Sequence, residues 1–425
     1  MIKRIELKGF KSFLKAELSL GPFNLLIGTN ASGKSNIRDA FRFLHGVARG
    51  YALHEIAGQK WGEGGRQEWA GIRGGPNEMV FTGHAGFEVS VDYNLASTLT
   101  SRASRGLQEY SYTIEVGGAD AMAQVRSEEL DWVSEGKYVY STHPAGKPLS
   151  VPFVDIKARC LVATEPKAKR KLRTFDARKP IFSQLFRAVP MPLFDPYFGF
   201  ITNFLGMRFL DHDPDAMRQP SFPGQSQLGD RGENLASVLM RISEDSERKA
   251  QILHWLRELT PMEVTDLRFE TDPLGKVYLM FVDPLRDKPL SAYSASDGTL
   301  RFLGTLAALM QPDQGPFLFI EELDNGIHPA RLHLLLQMIE DVTAEGKTQV
   351  VATTHSPQLL ALLSESAFQH AYLTYRLEGQ PDTRIKRIAE LPEILRLREK
   401  YGLARLHESG WFEKAIAALS EVAEQ

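Results

Sequence analysis

Short apolar runs near both ends of the chain predict the strands of a buried parallel sheet. One run, Phe23–Ile27, lies close to the start, whereas Phe317–Ile320 and residues 349–352 lie far towards the other end. A run in which almost every side chain is apolar is typical of a strand covered on both faces. We therefore predict an α/β fold whose central sheet is assembled from distant parts of the chain.

Alternating segments predict a second, antiparallel sheet. Residues 87–95 and 110–116 alternate apolar and polar side chains, and the polar residues 97–105 are expected to form the turn between them. Residues 1–7 also alternate, as a strand does and an apolar signal region does not. Residues 120–230 are rich in aromatic residues and proline, and we predict that they form a helical insertion. Seven aromatic side chains there suit either base stacking or core packing, and apolar neighbours favour the core. They are Phe182, Phe186, Phe194, Tyr197, Phe198, Phe200 and Phe204.

A glycine-rich phosphate-binding motif, called the P-loop below, directly follows the first apolar run. It fits the pattern G-x-x-x-x-G-K-[ST] and consists of Gly28, Thr29, Asn30, Ala31, Ser32, Gly33, Lys34 and Ser35. Such a turn presents backbone N–H groups to phosphate oxygens, and the following helix points its positive end at them. We expect Lys34 to reach the β- and γ-phosphates of ATP and the Ser35 hydroxyl to hold Mg²⁺.

Two carboxylates follow the apolar run Phe317–Ile320, nearly three hundred residues after the P-loop. Ligands of open α/β sheets bind at the carboxyl ends of strands, where Glu321 and Glu322 are expected to emerge. We expect Glu321 to hold the metal and Glu322 to take a proton from the attacking water. An acidic helix cap is the alternative for this pair taken alone.

Two further motifs suit a γ-phosphate. His355 directly follows the strand predicted at residues 349–352, at the edge where a phosphate sensor is expected. Ser296 and Gly298 begin a helix with Leu300, Leu303, Leu306 and Met310 on one face, so its N-terminus is a second anion-binding end.

Together these motifs resemble the ABC-type ATPases of the RecF, SMC and OLD kind. More narrowly they resemble the stand-alone RecF-like AAA family ATPases of bacteria, many of which serve in anti-phage defence. The resemblance spans residues 1–95 and 230–365. It rests on the P-loop with Asn36, Gly9-Phe10-Lys11-Ser12-Phe13, Ser-Asp-Gly-Thr at 296–299, Glu-Glu-Leu-Asp-Asn-Gly-Ile-His-Pro at 321–329 and Thr-Thr-His-Ser-Pro at 353–357.

The resemblance implies an ABC-type head with a mixed sheet, an antiparallel β subdomain and a helical insertion. It also implies that two copies bind head to tail with two ATP–Mg²⁺ between them. Ser296 and Gly298 of one copy would contact the γ-phosphate held by the P-loop of the other copy. Asn36 would belong to the nucleotide-binding residues of that P-loop. Asp324 and Asn325 would lie across the dimer interface, and His355 would be the switch histidine.

Two positions depart from the family pattern or leave it open. Glu321 stands where the family has Asp, which changes the reach of the metal carboxylate. Gln59 and Gln67 are both candidates for the metal-linked glutamine.

About seventy residues follow His355, too few for the fused nuclease domain of the OLD-type relatives. We expect four regions: an ATPase lobe at 1–95, the sheet continuation and basic insertion at 96–230, a second lobe at 231–365 and a helical tail at 366–425.

Composition agrees with a large soluble enzyme. The 425 residues are 43% hydrophobic with a formal charge of −3, so any nucleic-acid contact must come from a local patch. Cys160 is the single cysteine, and a structural thiol is expected there. No run of about eighteen apolar residues and no signal region occurs, so we expect a cytoplasmic protein without a membrane partner.

A basic segment at residues 157–179 is the candidate DNA-binding patch. Nine basic and two acidic residues suit phosphate binding, and a solvated or ion-paired surface is the equal alternative. The residues expected to contact DNA are Lys167, Lys169, Arg170, Lys171 and Arg173. Asp211, His212, Asp213 and Asp215 also suggest a metal site, but Pro214 and nearby prolines favour a turn.

The expected function is an ATP-hydrolysing dimeric switch that senses DNA or a phage product and controls a separate effector, a nuclease or a toxin. Three alternatives stay open: a DNA-repair ATPase that binds DNA directly, an ABC transport subunit paired with permeases, and a scaffold that binds ATP without hydrolysis.

Overall fold

A computed structural model describes residues 1–65, 67–96, 107–118, 123–149, 154–162, 169–188, 194–260, 263–311, 315–412 and 414–416. The strands are β1 (Ile2–Phe10), β2 (Phe13–Ser19), β3 (Phe23–Ile27), β4 (Lys60–Trp61), β5 (Gln67–Trp69), β6 (Gly86–Ala96), β7 (Leu107–Gly117), β8 (Gln124–Trp132), β9 (Lys137–Ser141), β10 (Asp155–Val162), β11 (Lys169–Asp176), β12 (Met207–Leu210), β13 (Asp266–Thr271), β14 (Val277–Val282), β15 (Leu290–Ser291), β16 (Phe317–Ile320), β17 (Gln349–Thr354), β18 (Ala371–Arg376) and β19 (Thr383–Arg387). The α-helices are α1 (Lys34–Ala48), α2 (Leu53–Ala57), α3 (Ile181–Ala188), α4 (Phe194–Leu205), α5 (Pro214–Met217), α6 (Leu235–Ile242), α7 (Ser246–Leu259), α8 (Asp297–Met310), α9 (Leu332–Ala344), α10 (Pro357–Ala361), α11 (Glu365–Gln369), α12 (Ile394–Tyr401) and α13 (Leu403–Glu408).

The chain forms two compact units, each built from three separate segments. Unit 1 contains Met1–Gly21, Gly28–Met207 and Leu373–Lys386. Unit 2 contains Pro22–Ile27, Arg208–Tyr372 and the segment that begins at Arg387. The chain therefore passes from one unit to the other directly after β3, at the first residue of the P-loop.

The main sheet of unit 1 is antiparallel, with the strand order β11-β10-β9-β8-β7-β6-β1-β2. Its strands alternate buried and accessible side chains, as in β7, because one face is covered and the other is accessible to water. The predicted pairing of residues 87–95 with 110–116 is confirmed, with Val91 opposite Tyr112. The predicted turn at 97–105 lies outside the described residues.

Aromatic side chains form the core between this sheet and the helices α3 and α4. Phe200 lies 4.1 Å from Phe182, 4.3 Å from Phe204 and 4.7 Å from Tyr112 between ring centroids, and all four rings are fully buried. Phe182, Phe200 and Phe204 therefore serve as core residues and not as a base-stacking platform. The side chains of Phe186, Phe194, Tyr197 and Phe198 lie outside the described residues.

A buried carboxylate fixes the start of α3 to the sheet. Glu128 on β8 accepts hydrogen bonds from the backbone N–H groups of Ile181 (2.5 Å) and Phe182 (2.8 Å). The hydroxyls of Tyr140 (2.7 Å) and Tyr112 (3.1 Å) also donate to it. Glu128 has no exposed surface, and burial raises the pKa of its carboxyl to about 7.

The prediction of a mainly helical segment at 120–230 was only partly right. Within residues 124–176 the described parts instead continue the antiparallel sheet as β8–β11, and the helix α3 begins only at Ile181. The basic residues of β10 and β11 lie at the end of this sheet, where alternating exposed charges fit a strand with one solvated face.

Unit 2 contains the parallel sheet, in which β12, β16, β17 and β3 are successive neighbours. Every residue of β3, β16 and β17 is buried, as the apolar runs predict. Parallel pairing places Ile320 opposite Ala352 and Thr354 opposite Ile27, so β16, β17 and β3 end nearly level. The helix α8 also forms as predicted, with Leu300, Leu303 and Leu306 fully buried. The α/β class, with parallel and antiparallel sheets, is thus confirmed.

The segment expected to be a helical tail starts differently. After the short helix α11, β18 and β19 form a strand pair, and the helices α12 and α13 follow. Residues 373–386 of this pair belong to unit 1, together with the P-loop. Two side chains of this strand pair, Thr374 and Thr383, lie against the P-loop.

Candidate nucleotide-binding site

The P-loop in unit 1 is packed so closely that its glycines are required. A Cβ atom on Gly28 would lie 2.4 Å from the carbonyl oxygen of Thr374, and one on Gly33 would lie 2.6 Å from Cγ2 of Thr383. Gly33 has a φ of 100° and precedes α1, whose start carries no side-chain cap. The first N–H groups of a helix without a side-chain cap have no partner within the helix, so this helix start is suited to bind a phosphate group.

Lys34 is folded into the loop that it follows. Its Nζ donates to the carbonyl oxygens of Gly28 (2.6 Å) and Thr29 (2.9 Å), and its side chain is buried. Thr29, Asn30 and Ala31 are exposed at the tip of the loop. The loop therefore surrounds one ammonium group, whose positive charge can pair with the negative charges of a triphosphate.

Hydrogen bonds hold the P-loop in place, and two of the residues involved, Thr374 and Thr383, were not singled out in the sequence. The Ser32 hydroxyl lies 2.7 Å from that of Thr374, and Asn36 donates to the Ser12 hydroxyl at 2.7 Å. The Ser12 carbonyl accepts the backbone N–H of Thr383 at 2.7 Å. The turn at Gly379 was a signal of a strand pair, but the packing of that pair against the P-loop was not visible in the sequence.

The carboxylates Glu321 and Glu322 of unit 2 directly follow the buried strand β16, as predicted. Glu321 is partly buried, and its N–H donates to the Leu210 carbonyl at 3.1 Å, at the end of the neighbouring strand β12. Glu322 is exposed and has a φ of 51°, a left-handed conformation that is uncommon for a residue with a side chain. Strained backbone of this kind occurs often at functional sites.

Hydrogen bonds fix the Glu322 loop to the end of β17. The N–H of Glu322 donates to the Thr353 hydroxyl at 2.9 Å, and Asn325 donates to the Glu322 carboxylate at 2.9 Å. Thr354 donates to Asp324 at 2.5 Å. His355 follows Thr354 directly and is partly buried. The structure thus brings Glu322, Asn325 and the strand end before His355 together within unit 2.

The start of α8 contacts the same loop. Ser296 caps α8 by accepting the Thr299 N–H at 3.2 Å. A Cβ atom on Gly298 would lie 2.2 Å from the Gly326 carbonyl oxygen, and Gly326 has a φ of 83°. Arg218, which sequence reasoning missed, donates to the Ala295 carbonyl at 3.1 Å and to the Asp297 carboxylate at 2.5 Å.

A cavity of about 390 Å³ lies at this start of α8. Ser296, Gly298 and Thr299 line one side, and Gly326, His328 and Arg331 line another. A volume of this order suits a small ligand or a protruding group of a partner. All the lining residues belong to unit 2.

The residues present suit Mg²⁺ bound with nucleotide. The Ser35 hydroxyl in unit 1 and the Glu321 carboxylate in unit 2 are each oxygen ligands of the kind that Mg²⁺ prefers beside phosphate and water, and their binding of one shared ion stays a prediction. In the described part of the chain, no group of three or more His, Cys, Asp or Glu side chains could hold a metal without such help. Asp213 caps α5 by accepting the Asp215 N–H at 3.0 Å and pairs with Arg231, so the expected turn at 211–215 is observed.

The basic segment lies on β10 and β11. Lys157, Arg159, Arg170 and Lys171 are exposed, whereas Arg173 is partly buried. The Arg170 guanidinium lies 4.1 Å from the centroid of the Tyr138 ring. Lys167 lies outside the described residues, and Lys169 is described only in its backbone. DNA contact through this segment stays a prediction.

Two other features of the sequence have structural counterparts. Cys160 is buried on β10, and burial raises its pKa to about 12, which fits a structural thiol. Among the residues that the structure describes, no helix is long and apolar enough to cross a membrane.

The two halves of the motif set match two AAA family models. Residues 1–92, with the P-loop, match a model described as "AAA ATPase domain". Residues 194–361, with Ser296, Glu322 and His355, match one described as "AAA domain, putative AbiEii toxin, Type IV TA system". The two models together cover more than half of the chain.

Individual relatives are more distant. An "ATP/GTP phosphatase" of Helicobacter pylori is 33% identical over 88 residues, which is 20% of this chain and 23% of that protein. This chain thus spans less than a quarter of that relative's length.

Two SMC heads are among the solved structures that match this chain at low identity. An SMC head bound to the C-winged helix domain of ScpA is 14% identical, with a TM-score of 0.49 over 91% of this chain and 97% of that chain. The SMC head domain from Thermotoga maritima is 13% identical, with a TM-score of 0.45 over 91% and 98%. Because these scores are below 0.5, the assignment rests on the family models and on the motifs within them. By those matches, residues 1–92 and 194–361 are each similar to AAA-type ATPase domains.

Proposed function

We propose that the protein hydrolyses ATP to ADP and phosphate and uses this cycle as a switch between separate and paired copies. The observation that carries the hydrolysis proposal is Glu322, which is exposed directly after a buried strand and held by Asn325 at 2.9 Å. A protein that only bound ATP would need the P-loop but no oriented carboxylate. The match to an "ATP/GTP phosphatase" supports the same reaction.

Each site residue has one expected task. The P-loop backbone and Lys34 bind the triphosphate, since the loop already surrounds the Lys34 ammonium. Ser35 and Glu321 would hold Mg²⁺, which lowers the negative charge on the β- and γ-phosphates when it is bound. Glu322 accepts the proton of the attacking water, and His355 stabilises the γ-phosphate.

Variants of Glu322 and Lys34 test the reaction. Glu322→Gln should lower ATP turnover by about 10²- to 10⁴-fold, since loss of a general base has this effect, and should retain ATP binding. Lys34→Ala should weaken binding itself. Glu345→Gln is the matched control, because Glu345 is exposed and its carboxylate lies 2.8 Å from Lys347 Nζ, a residue with no assigned role in the site. Wild-type turnover by Glu322→Gln would contradict the assignment of the base.

The paired state is proposed from the start of α8. Its cavity carries Ser296, Gly298 and Arg331, groups that can bind the γ-phosphate presented by the P-loop of a second copy. ATP would then favour pairing because it binds the paired state more tightly than the separate one. Asp324 and Asn325 would lie near this interface.

We further propose that the switch controls a separately encoded effector in defence against phage. The family description that names a putative AbiEii toxin and a type IV TA system supports this proposal. Purification of the protein with the products of its neighbouring genes, with and without ATP, tests it. Co-elution of a nuclease or toxin is expected, and ATP-dependent binding of DNA alone would favour the DNA-repair alternative.

A further inference from the structure

Two opposite charges are buried beside the P-loop helix. Lys11, in the turn between β1 and β2, places its Nζ 2.9 Å from Oδ2 of Asp39 on α1. Their side chains are 6% and 2% exposed. Removing two charges from water is costly, and a packed apolar pair of the same size is often as stable. Stability alone therefore does not explain why this pair is charged.

The turn that carries Lys11 is itself constrained. Lys11 has a φ of 52°, and its backbone N–H donates to the Met79 carbonyl at 2.9 Å. This left-handed conformation is unfavourable for a residue with a side chain, so the surroundings must fix it. The neighbouring Ser12 accepts the hydrogen bond from Asn36 of α1. The β1–β2 turn thus contacts α1 at two adjacent residues.

Arg73 connects the ion pair to the P-loop. Its carbonyl oxygen accepts a hydrogen bond from Lys11 Nζ at 2.6 Å, and its Nη2 donates to the carbonyl oxygen of Ser35 at 2.5 Å. Its Nε lies 3.5 Å from Oδ1 of Asp39. One carboxylate therefore faces two cations, and one of these cations binds the backbone of Ser35.

We propose that Lys11, Asp39 and Arg73 form a positioning cluster that sets the place of Ser35. Ser35 is the residue whose hydroxyl is expected to hold Mg²⁺, so the proposal rests on the proposed function. In this proposal the cluster acts through Ser35 and not by direct contact with nucleotide or metal. The cluster fixes the distance between the first turn of α1 and the β1–β2 turn. Attraction between opposite charges is strong where water is excluded, so these charged groups resist displacement.

The proposal predicts a specific defect in metal use. Loss of a residue that orients a metal ligand typically weakens metal binding by about 10- to 100-fold. Arg73→Met removes the donor to Ser35 and keeps an apolar stem. It should raise the Mg²⁺ concentration for half-maximal binding of a fluorescent ATP analogue by about tenfold or more. Binding of the analogue without Mg²⁺ should change less than about threefold, because Lys34 and the loop backbone remain.

Variants of the ion pair separate positioning from folding. Lys11→Met removes the ammonium group that lies 2.9 Å from the buried Asp39 carboxylate and should lower thermal stability. The double variant Lys11→Met/Asp39→Leu removes both charges, so it should recover stability while the Mg²⁺ requirement stays raised. Lys15→Met on β2 is the matched control, because that lysine side chain is 68% exposed.

Amide hydrogen exchange in the protein without nucleotide gives an independent result. Exchange at residues 34–40 should be faster in Arg73→Met and in the double variant than in wild type and Lys15→Met. Unchanged exchange there, or an equal loss of nucleotide binding with and without Mg²⁺, would overturn the proposal. If wild type itself bound no ATP, the proposed function would fail, and the exchange result would still decide the role of the cluster.

Discussion

Gly298 and Gly326 meet backbone to backbone, so the start of α8 and the loop after Glu322 touch without any intervening side chain. A Cβ atom on Gly326 would lie 2.4 Å from the Cα of Gly298. The loop that carries Glu322 is therefore fixed on one side by β17 and on the other by α8. A displacement of α8 would move the loop that carries Glu322, because backbone atoms in contact cannot change conformation as flexible side chains do.

A pair of glycine variants tests this contact. Gly275→Ala should cost about 1 kcal/mol, because Gly275 has a φ of 80° but open space around it. Gly326→Ala has a similar φ of 83° and also a clash, so it should cost about 1–3 kcal/mol more and slow ATP turnover. Thermal unfolding and turnover, measured on both variants, check the prediction. Equal effects of the two substitutions would mean that the contact with Gly298 is loose.

Removal of the partner of Glu322 should affect turnover more than binding. Asn325→Ala deletes a hydrogen bond to a carboxylate, worth roughly 1.5–3 kcal/mol, so kcat should fall by about 10- to 100-fold. Gln369→Ala is a suitable control, because its amide donates to an exposed glutamate, Glu365, at 3.0 Å. A rise in KM with unchanged kcat would instead assign Asn325 to nucleotide binding.

Mixed copies test the paired state. Chains with Ser296→Arg lack the α8 contact, and chains with Lys34→Ala lack a working P-loop. If Ser296 acts on the ATP of the other copy, a heterodimer of the two variants should contain one complete site and recover part of the turnover. Verified heterodimers without any recovery would show that the two motifs act within one chain.

The buried Glu128 predicts a pH dependence of stability in unit 1. Burial raises its pKa from 4.5 to about 7, so the folded state binds this proton more tightly than the unfolded state does. The protonated Glu128 carboxyl thus adds at most about 3 kcal/mol to the free energy of unfolding. This stabilisation is fully present below about pH 4.5 and is lost as the pH rises through 7. Denaturant unfolding from pH 5 to 8 should show a flatter pH profile for Glu128→Gln than for wild type. Parallel profiles would argue that the carboxyl is ionised throughout.

Charge reversal on the outermost strand tests DNA contact. Arg170→Glu with Lys171→Glu should weaken binding to every DNA sequence and flatten the salt dependence by roughly 0.9 per lost phosphate contact. Turnover without DNA should stay unchanged. The rival role of these residues is to prevent strand-to-strand aggregation at a sheet edge. Unchanged DNA affinity together with increased self-association would favour that role.

The nucleotide motifs were predictable because their chemistry is local. The P-loop, the strand before Glu321 and the apolar face of α8 each occupy one continuous segment, where spacing and periodicity carry the information. The contacts of Thr374 with Ser32 and of Arg218 with Asp297 join residues 342 and 79 positions apart, so no local pattern could reveal them.

Two segments were assigned the wrong secondary structure for an identifiable reason. In β10 and β11 the charged residues alternate with Ala158, Cys160 and Phe175, which is a strand pattern obscured by the basic composition. In β18 the buried residues at 371–374 form a short apolar run that resembles the helical segments on either side. Composition outweighed periodicity in both cases.

The interleaved connectivity has a consequence for any attempt to divide this protein. Each unit draws on three separate stretches of chain, so neither can be produced from one continuous fragment. A truncation near residue 365, where a terminal tail was expected, would delete Thr374 and Thr383 from the unit that holds the P-loop. Most of the stabilising contacts join residues far apart in sequence, which predicts slow folding compared with a protein of local contacts. Exchange of either unit with that of a relative would therefore need five junctions, one at each point where the chain passes between the units.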